Sequence, residues 1–353
     1  MYQGQTLQDV AAELQRQLDT KADFIVDTRE LAMVTDRVAD EWFPSVMEVA
    51  DIDRFTVSNY CHGQIASRLQ VPKQFYDRLR ENHKPLLDMT VNTLMYDKPE
   101  RRMLRTMDGN ARAFLSDRYR RIDNWDLMEH VLPLLAEVPD MQIVSCDVTE
   151  RNLYVKALFP RITAEVKLND PVQSGIVIKN SEVGAGALTI SPLVFRLVCL
   201  NGMISTEGVS KYHLGRRQEE DSAQRFFSDE TLAAEDTALW MKVRDVVKAT
   251  LDETKFNAIC IRLRESTERK LDVGPIEAIE RLSNKVTVTQ TESDSILKHL
   301  IEGGDLSQYG LIQAVTRTSQ DADDYDRATE LEEMGGQLLD ADKQFLTAIG
   351  IAT

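Results

Sequence analysis

Residues 101–121 read RRMLRTMDGNARAFLSDRYRR, and the reading of this stretch decides the fold. Asp108, Gly109 and Asn110 separate two short strand-like runs, the pattern of a tight β-hairpin. The window is also an electrostatic anomaly. From Lys98 to Arg121 eight basic residues stand against three acidic ones, in a chain whose formal net charge is −16.

On the C-terminal side of the hairpin a helix follows. Asp123 can cap it, and Leu127, Val131, Leu134, Leu135 and Val138 make one apolar face. Strands then return: Met141 to Asp147 and Asn152 to Phe159 flank a Thr-Glu-Arg turn, and Ile162 to Leu168 and Gly175 to Asn180 continue the β content. Strand, strand, helix and several strands predict an α+β fold, an antiparallel sheet with helices packed on one face, followed by a largely helical C-terminal region. Gly184 and Gly186 invite comparison with phosphate-cradling loops, yet neither a GxxxxGKS/T motif nor a GxGxxG opening a helix is present. A turn or bulge between buried strands is the expectation there. Ser191-Pro192 reads as a helix start, with Val194, Leu197 and Val198 facing the core and Asn201-Gly202 as its end. Glu182 and Arg196, the two charges in this apolar segment, are expected to pair with each other.

Towards the N-terminus, Leu7, Val10, Leu14 and Leu18 mark an amphipathic helix with a Thr6/Asp9 cap. Phe24-Ile25-Val26 and Phe55-Thr56-Val57 read as short strands. NYCHGQIASRLQVPKQFYDRLR, residues 59–80, imitates a DNA-reading helix-turn-helix, with Ala66 as the small residue of the first helix and Lys73, Arg78 and Arg80 on the second. Gln70 stands where the turn glycine belongs, so a helical hairpin covering a sheet is the better reading. Beyond Gln218 the pattern is helical, through Leu232–Val247, Phe256–Leu263, Pro275–Leu282 and Ile296–Ile301. Three regions result: an N-terminal helical and short-strand region at 1–95, an α+β core at 96–217 and a helical region at 218–353. The last charge run, Asp321 to Asp342, holds nine acidic residues and one basic, and reads as a solvated helix face.

Composition bounds the function. No apolar run reaches the roughly 18 residues of a membrane span, and MYQGQTLQDV lacks the basic and apolar regions of a secretory signal, so a cytoplasmic protein is expected. Four scattered cysteines (Cys61, Cys146, Cys199, Cys260) suit reduced, buried thiols rather than a disulfide framework or a zinc site. Five histidines without HxxxH spacing, and no nucleophile elbow or Walker motif, leave no catalytic signature, no metal and no cofactor to assign. A basic, aromatic surface is the positive feature, since a single-strand binder needs cations along the phosphates and flat rings under the bases. Arg112 and Phe114 share a face by period-two alternation, Arg118 follows, and Tyr119 lies before Arg120 and Arg121. A second basic group, Lys211, Arg216 and Arg217, with Tyr212 and His213 among them, closes the β region. The competing reading is that these arginines line a solvated sheet face or pair with the acidic C-terminal run.

FLSDRYRRIDN at 114–124, IKNSEVGAGALTISPLVFRLVCLNGMI at 178–204, HLGRR at 213–217 and GLIQAVTRTSQDADDYDRATELEEMGGQLL at 310–339 resemble the phage/plasmid-like proteins grouped as a domain of unknown function, number 932. The resemblance implies a setting on mobile elements, hence dealings with incoming or replicating DNA. Taken together, these readings give a non-enzymatic single-stranded-DNA-binding protein of a phage or plasmid, which anneals strands as a homo-oligomeric ring. Arg101, Arg102, Arg105, Arg112, Arg118, Arg120 and Arg121 would hold phosphates, with Phe114 and Tyr119 stacking bases. The alternative is a protein-interaction module, an acidic DNA mimic or anti-defence factor whose 321–342 run contacts a host protein.

Overall fold

The computed structural model describes residues 1–39, 41–211, 229–250 and 252–352. The chain opens with helix α1 (Leu7–Thr20), whose Thr6 side chain accepts from the Asp9 amide. Six strands follow: β1 (Lys21–Asp27), β2 (Leu31–Val34), β3 (Arg37–Val38), β4 (Glu41–Trp42), β5 (Val46–Val49) and β6 (Asp53–Val57). Helices α2 (Asn59–Arg68), α3 (Lys73–Asn82) and α4 (Lys84–Asp97) lead to the hairpin of β7 (Arg101–Met107) and β8 (Asn110–Ser116). After α5 (Asn124–Ala136) come β9 (Gln142–Val148), β10 (Leu153–Glu165), β11 (Pro171–Asn180), β12 (Leu188–Arg196), β13 (Asn201–Ile204) and β14 (Val209–Lys211). Helices then run through α6 (Asp229–Thr250), α7 (Glu253–Glu268), α8 (Pro275–Ser283), α9 (Gln290–Gly303), α10 (Gln308–Thr318), α11 (Tyr325–Leu339) and α12 (Lys343–Ala348).

The α+β class and the helical C-terminal region stand as the pattern predicts, but the strands form two main sheets. The first is six-stranded, in the order β1-β7-β8-β6-β5-β2, antiparallel except where β6 runs parallel to β8. The 101–121 hairpin therefore completes the N-terminal sheet instead of joining the strands after residue 141. Its turn is left-handed at both Asp108 (φ 51°) and Gly109 (φ 73°), the geometry that matches the twist of paired strands. Helices α2, α3 and α4 cover one face, burying Ile65, Leu79, Leu87 and Val91 against Met47, Leu104 and Phe114. Gln70 takes the left-handed conformation (φ 56°) of the missing turn glycine, and Ala66 is buried. The pair α2–α3 thus serves as sheet cover.

The second sheet runs β13-β12-β11-β10-β9, with β14 beside β12. It is covered on both faces. Leu153, Val155, Ala157 and Phe159 of β10 pack with Val10 and Leu14 of α1, Leu127 and Val131 of α5, and Val243 and Val247 of α6. The alternate residues of β10, Tyr154 and Lys156, face α11, where Val172, Val194 and Met203 also meet Ile312, Leu331 and Leu338.

Three expectations are overturned. Ser191-Pro192 lies inside β12, not at a helix start: a strand buried between β11 and β13 reads as a continuous apolar run, which periodicity cannot tell from a buried helix. Glu182 and Arg196 do not pair with each other. Arg196 is held by Asp170 through Nε–Oδ1 and Nη2–Oδ2 bonds of 2.6 and 2.9 Å. Within the 321–342 run, helix α11 is no solvated face either, although the aspartates flanking it are exposed. Tyr325, Ala328, Leu331 and Leu338 of α11 are buried, and its carboxylates bind the cations of the second sheet. The expected boundary at 217/218 lies outside the described residues.

Candidate nucleic-acid interface

The arginines of the hairpin separate by depth. Arg101 and Arg105 share one face of β7, four residues apart, yet Arg101 is exposed and the Arg105 side chain is fully buried. Arg105 donates from Nε and Nη2 to the two oxygens of Asp23 (2.8 and 3.1 Å), from Nη2 to Asp123 Oδ1 (2.7 Å) and from Nη1 to the Glu182 carbonyl (2.9 Å). Lys21 Nζ completes the group at 2.5 Å from Asp123 Oδ2. Burial works to raise the Asp123 carboxyl, but the Arg105 charge and the Lys21 bond overcome it and hold the group down at about 2. This network ties β1, β7, the start of α5 and the 181–185 segment together. It is structural, and Arg105 is withdrawn from the phosphate-binding set.

Arg112 and Phe114 do not share a face. The register of β7 and β8 shifts between Arg105 and Thr106, leaving Arg112 as the extra residue of a β-bulge. Phe114 turns into the helix-covered core at 4% exposure, with the Arg102 guanidinium 5.6 Å from its ring centroid, so it offers no platform to a base. Arg112 turns towards the second sheet, where Nη2 lies 2.6 Å from Glu182 Oε2. That contact is out of hydrogen-bond alignment: Arg112 Nε and Nη2 and Glu182 Oε2 are all buried without an aligned partner. Tyr119 is half-buried among Met103, Ala113, Leu115 and Val183, and its hydroxyl donates to the Ser181 carbonyl at 2.9 Å. Burial pushes its phenol up. It too is unavailable for stacking. Arg102 donates to Glu100 Oε1 at 2.8 Å, and Glu100 also takes the Arg68 guanidinium.

The arginines that remain at the surface extend from the open end of the hairpin, at Arg101, to its middle, where Arg121 meets Asp23 opposite Arg105. Arg102 and Ser116 are its last cross-strand pair. Arg101 lies one residue beyond on one strand, and the loop carrying exposed Arg118, half-buried Arg120 and exposed Arg121 follows on the other. Arg121 reaches Asp23 Oδ2 at 3.4 Å while remaining more than half exposed. Lys211 ends β14, opposite Leu188; Arg216 and Arg217, with Tyr212 and His213, lie outside the described residues. Helix α11 of the acidic C-terminal run is engaged at the second sheet. Its Glu332 pairs with Lys156 at 2.7 Å in full burial, Asp326 with Arg151 at 3.1 Å and Glu333 with Lys179 at 3.1 Å.

At the turn end of the hairpin lies a feature sequence reasoning missed. A cleft of about 300 Å³ opens between α1, the β7–β8 turn, the β9–β10 connection and the segment after β11. Its lining carries four carboxylates (Glu13, Asp108, Glu150, Glu182) and two guanidiniums (Arg112, Arg151), with Asn124 and Asn152 beside them. These residues come from separate segments with no common spacing, so only the lone charge of Glu182 in an apolar stretch hinted at them. Among the described residues no group of three His, Cys, Asp or Glu is placed to hold a metal ion, and no helix is long and apolar enough to cross a membrane.

Two mainly antiparallel sheets with helical cover, joined by buried arginine–carboxylate pairs and carrying exposed arginines on and beside a hairpin, define an α+β protein with a polar cleft. The chain belongs to the family described as Domain of unknown function (DUF932), whose pattern matches residues 113–330, more than half of the chain. No curated protein and no solved structure matches it.

Proposed function

We propose that the chain binds single-stranded DNA without transforming it, and that it serves strand annealing as a homo-oligomer encoded on a phage or plasmid. The observation that carries this reading is a set of four arginines, Arg101, Arg118, Arg120 and Arg121, on the end of the hairpin and the loop that runs back along it, three of them exposed, in a chain of net charge −16. Such a row of arginines on an acidic protein attracts phosphates along one stretch of surface, and screening confines that field to about 8–10 Å. With Phe114 and Tyr119 withdrawn, guanidinium planes supply the stacking as well as the charge. The mobile-element setting rests on the family resemblance alone.

Titration of fluorescent single-stranded and duplex oligonucleotides at two salt concentrations tests this reading. Preferential single-strand binding that weakens with salt supports it; absence of binding at low salt removes it. A protein-interaction module is the second reading, and its support is a different surface from the one the charge run suggested. The carboxylates of α11 are engaged within the fold, whereas Leu86, Met89 and Tyr96 of α4 stand exposed at helical spacing. Co-purification of one stoichiometric protein that Met89→Glu releases, with no oligonucleotide binding, favours this second reading.

A further inference from the structure

The first sheet ends in two edge strands, β1 and β2, and the fold treats them differently. At the β2 edge, helix α4 satisfies the backbone: the Met33 amide donates to Asn92 Oδ1 at 2.7 Å, and Asn92 Nδ2 donates to the Met33 carbonyl at 2.9 Å. The β9 edge of the second sheet is met by the N-terminal segment, where the Gln5 amide donates to the Cys146 carbonyl at 2.8 Å. Such cover keeps an edge from pairing with another chain. Strand β1 lacks it. The Thr28 amide donates to the Glu100 carbonyl at 2.9 Å in line with the β1–β7 register, so Ala22, Phe24 and Val26 turn their backbone groups to β7. Lys21, Asp23, Ile25 and Asp27 therefore turn theirs outwards. The Lys21 amide is taken by the Gln17 carbonyl and the Asp27 amide by Glu30 Oε2. Among the described residues nothing bonds the backbone of Asp23 or Ile25, and the Ile25 side chain is 43% exposed. Charges can blunt an edge, but Lys21 and Asp23 are turned into the fold, held by Asp123 and Arg105.

The residues of β1 select one antiparallel register with a copy of themselves. A two-fold axis through Phe24 aligns all seven residues and sets Asp23 against the partner's Ile25. Both turn their backbone groups outwards, so the two can exchange an amide and a carbonyl each. The same register places Lys21 opposite the partner's Asp27, a pair of opposite charge. Axes through Asp23 or Ile25 also match outward-turned residues, but over a shorter overlap. The first sets Asp23 against the partner's Asp23, the second sets it against the partner's Asp27, and like charges directly opposed are destabilising. We infer that β1 pairs with the β1 of a second copy of this chain, antiparallel and two-fold about Phe24, joining two first sheets into one. A contact that uses the same patch on both copies closes at two, so its product is a dimer. It rests on the homo-oligomer of the proposed function, for which it supplies an interface, and not on strand binding.

Sedimentation velocity of the full chain over a wide concentration range, with hydrogen–deuterium exchange at both ends of that range, tests the inference. A monomer–dimer equilibrium is expected, with the amides of residues 21–27 exchanging more slowly in the dimer than in the monomer. Ile25→Glu would face the partner's Asp23 and should weaken the dimer at least about tenfold. Asp27→Lys would face the partner's Lys21 and should weaken it as well, whereas Met89→Glu on exposed α4 should leave it intact. Neither Ile25 nor Asp27 is buried, so both β1 variants should keep the native circular dichroism. A chain that is monomeric at every concentration overturns the inference. So does a dimer that both β1 variants leave intact, or one whose 21–27 amides exchange at the monomer's rate. Dimerisation through β1 by a protein that holds no oligonucleotide would keep the edge contact and discard strand binding. Oligonucleotide binding by a chain that stays monomeric would do the reverse.

Discussion

Arg105 and Arg101 show how little a residue's type says about its task. Both are arginines on the same face of one strand, but only one is enclosed by Asp23, Asp123 and the Glu182 carbonyl. Replacing Arg105 by Ala removes the central cation from two half-buried carboxylates, leaving Asp123 with Lys21 and Asp23 with Arg121, and should cost about 3 kcal/mol in urea denaturation. Arg101→Ala should stay within about 0.5 kcal/mol. Equal effects in the two variants would contradict the partition. His62 makes a pH prediction at the same scale. Burial lowers its imidazole to about 4 from an ordinary 6.5, with Nδ1 2.9 Å from the Tyr76 hydroxyl. The unfolded chain therefore takes up the proton first as pH falls, so the stability this site contributes is present above about 6.5 and lost between 6.5 and 4. By pH 5 the loss should reach about 2 kcal/mol relative to pH 7, and His62→Gln should remove that difference from the urea midpoints.

At the scale of elements, helix α11 carries Gly335 and Gly336 in mid-helix, where glycine is costly. A Cβ on Gly336 would lie 2.0 Å from the Ile204 carbonyl oxygen, and one on Gly335 2.3 Å from a Thr316 methyl. The glycines let α11 lie directly on β13 and α10. Gly336→Ala should therefore lower stability by about 1–3 kcal/mol, with a fall in Tm. Gly303→Ala, at the end of α9 with nothing near, should leave Tm unchanged or raise it. An unchanged Tm in the first variant would contradict the close packing. Elements with strong local signals were legible: the Asp108-Gly109 turn, the α5 stripe and the β9–β10 hairpin. Strands β2 and β5 were not, because Leu31–Val34 and Val46–Val49 are too short to establish an alternation. The β12 error has the same root, a run buried on both faces. The Arg112 bulge could not be read at all, since the extra residue exists only relative to the register of the partner strand.

Over the whole molecule, charge that reads as two opposed blocks along the chain is distributed differently in space. The acidic C-terminal run settles on the second sheet, where Lys156, Arg151 and Lys179 meet it. Lys156 and Glu332, both fully buried, form the deepest of these pairs. Lys156→Met alone should cost about 3–5 kcal/mol by chemical denaturation, and adding Glu332→Leu should recover most of it. Failure of the second change to rescue would show that the pair is not coupled. Sequence reading located the basic window and its contrast with the rest of the chain. It could not separate wall from surface, because that depends on carboxylates at Asp23, Asp123 and Glu182 that only the fold brings near.

We propose that the exposed arginines of the hairpin and its following loop, Arg101, Arg118 and Arg121, hold single-stranded DNA while the buried Arg105 holds the fold. The most direct test of this claim is the salt dependence of oligonucleotide affinity for the native chain and for Arg101→Ala/Arg118→Ala/Arg121→Ala, with urea stability measured alongside. The account predicts a triple variant that folds normally but binds more weakly, its log–log salt slope shallower by about 2, as expected when three phosphate contacts are lost. A folded triple variant with the native affinity and the native slope would contradict it.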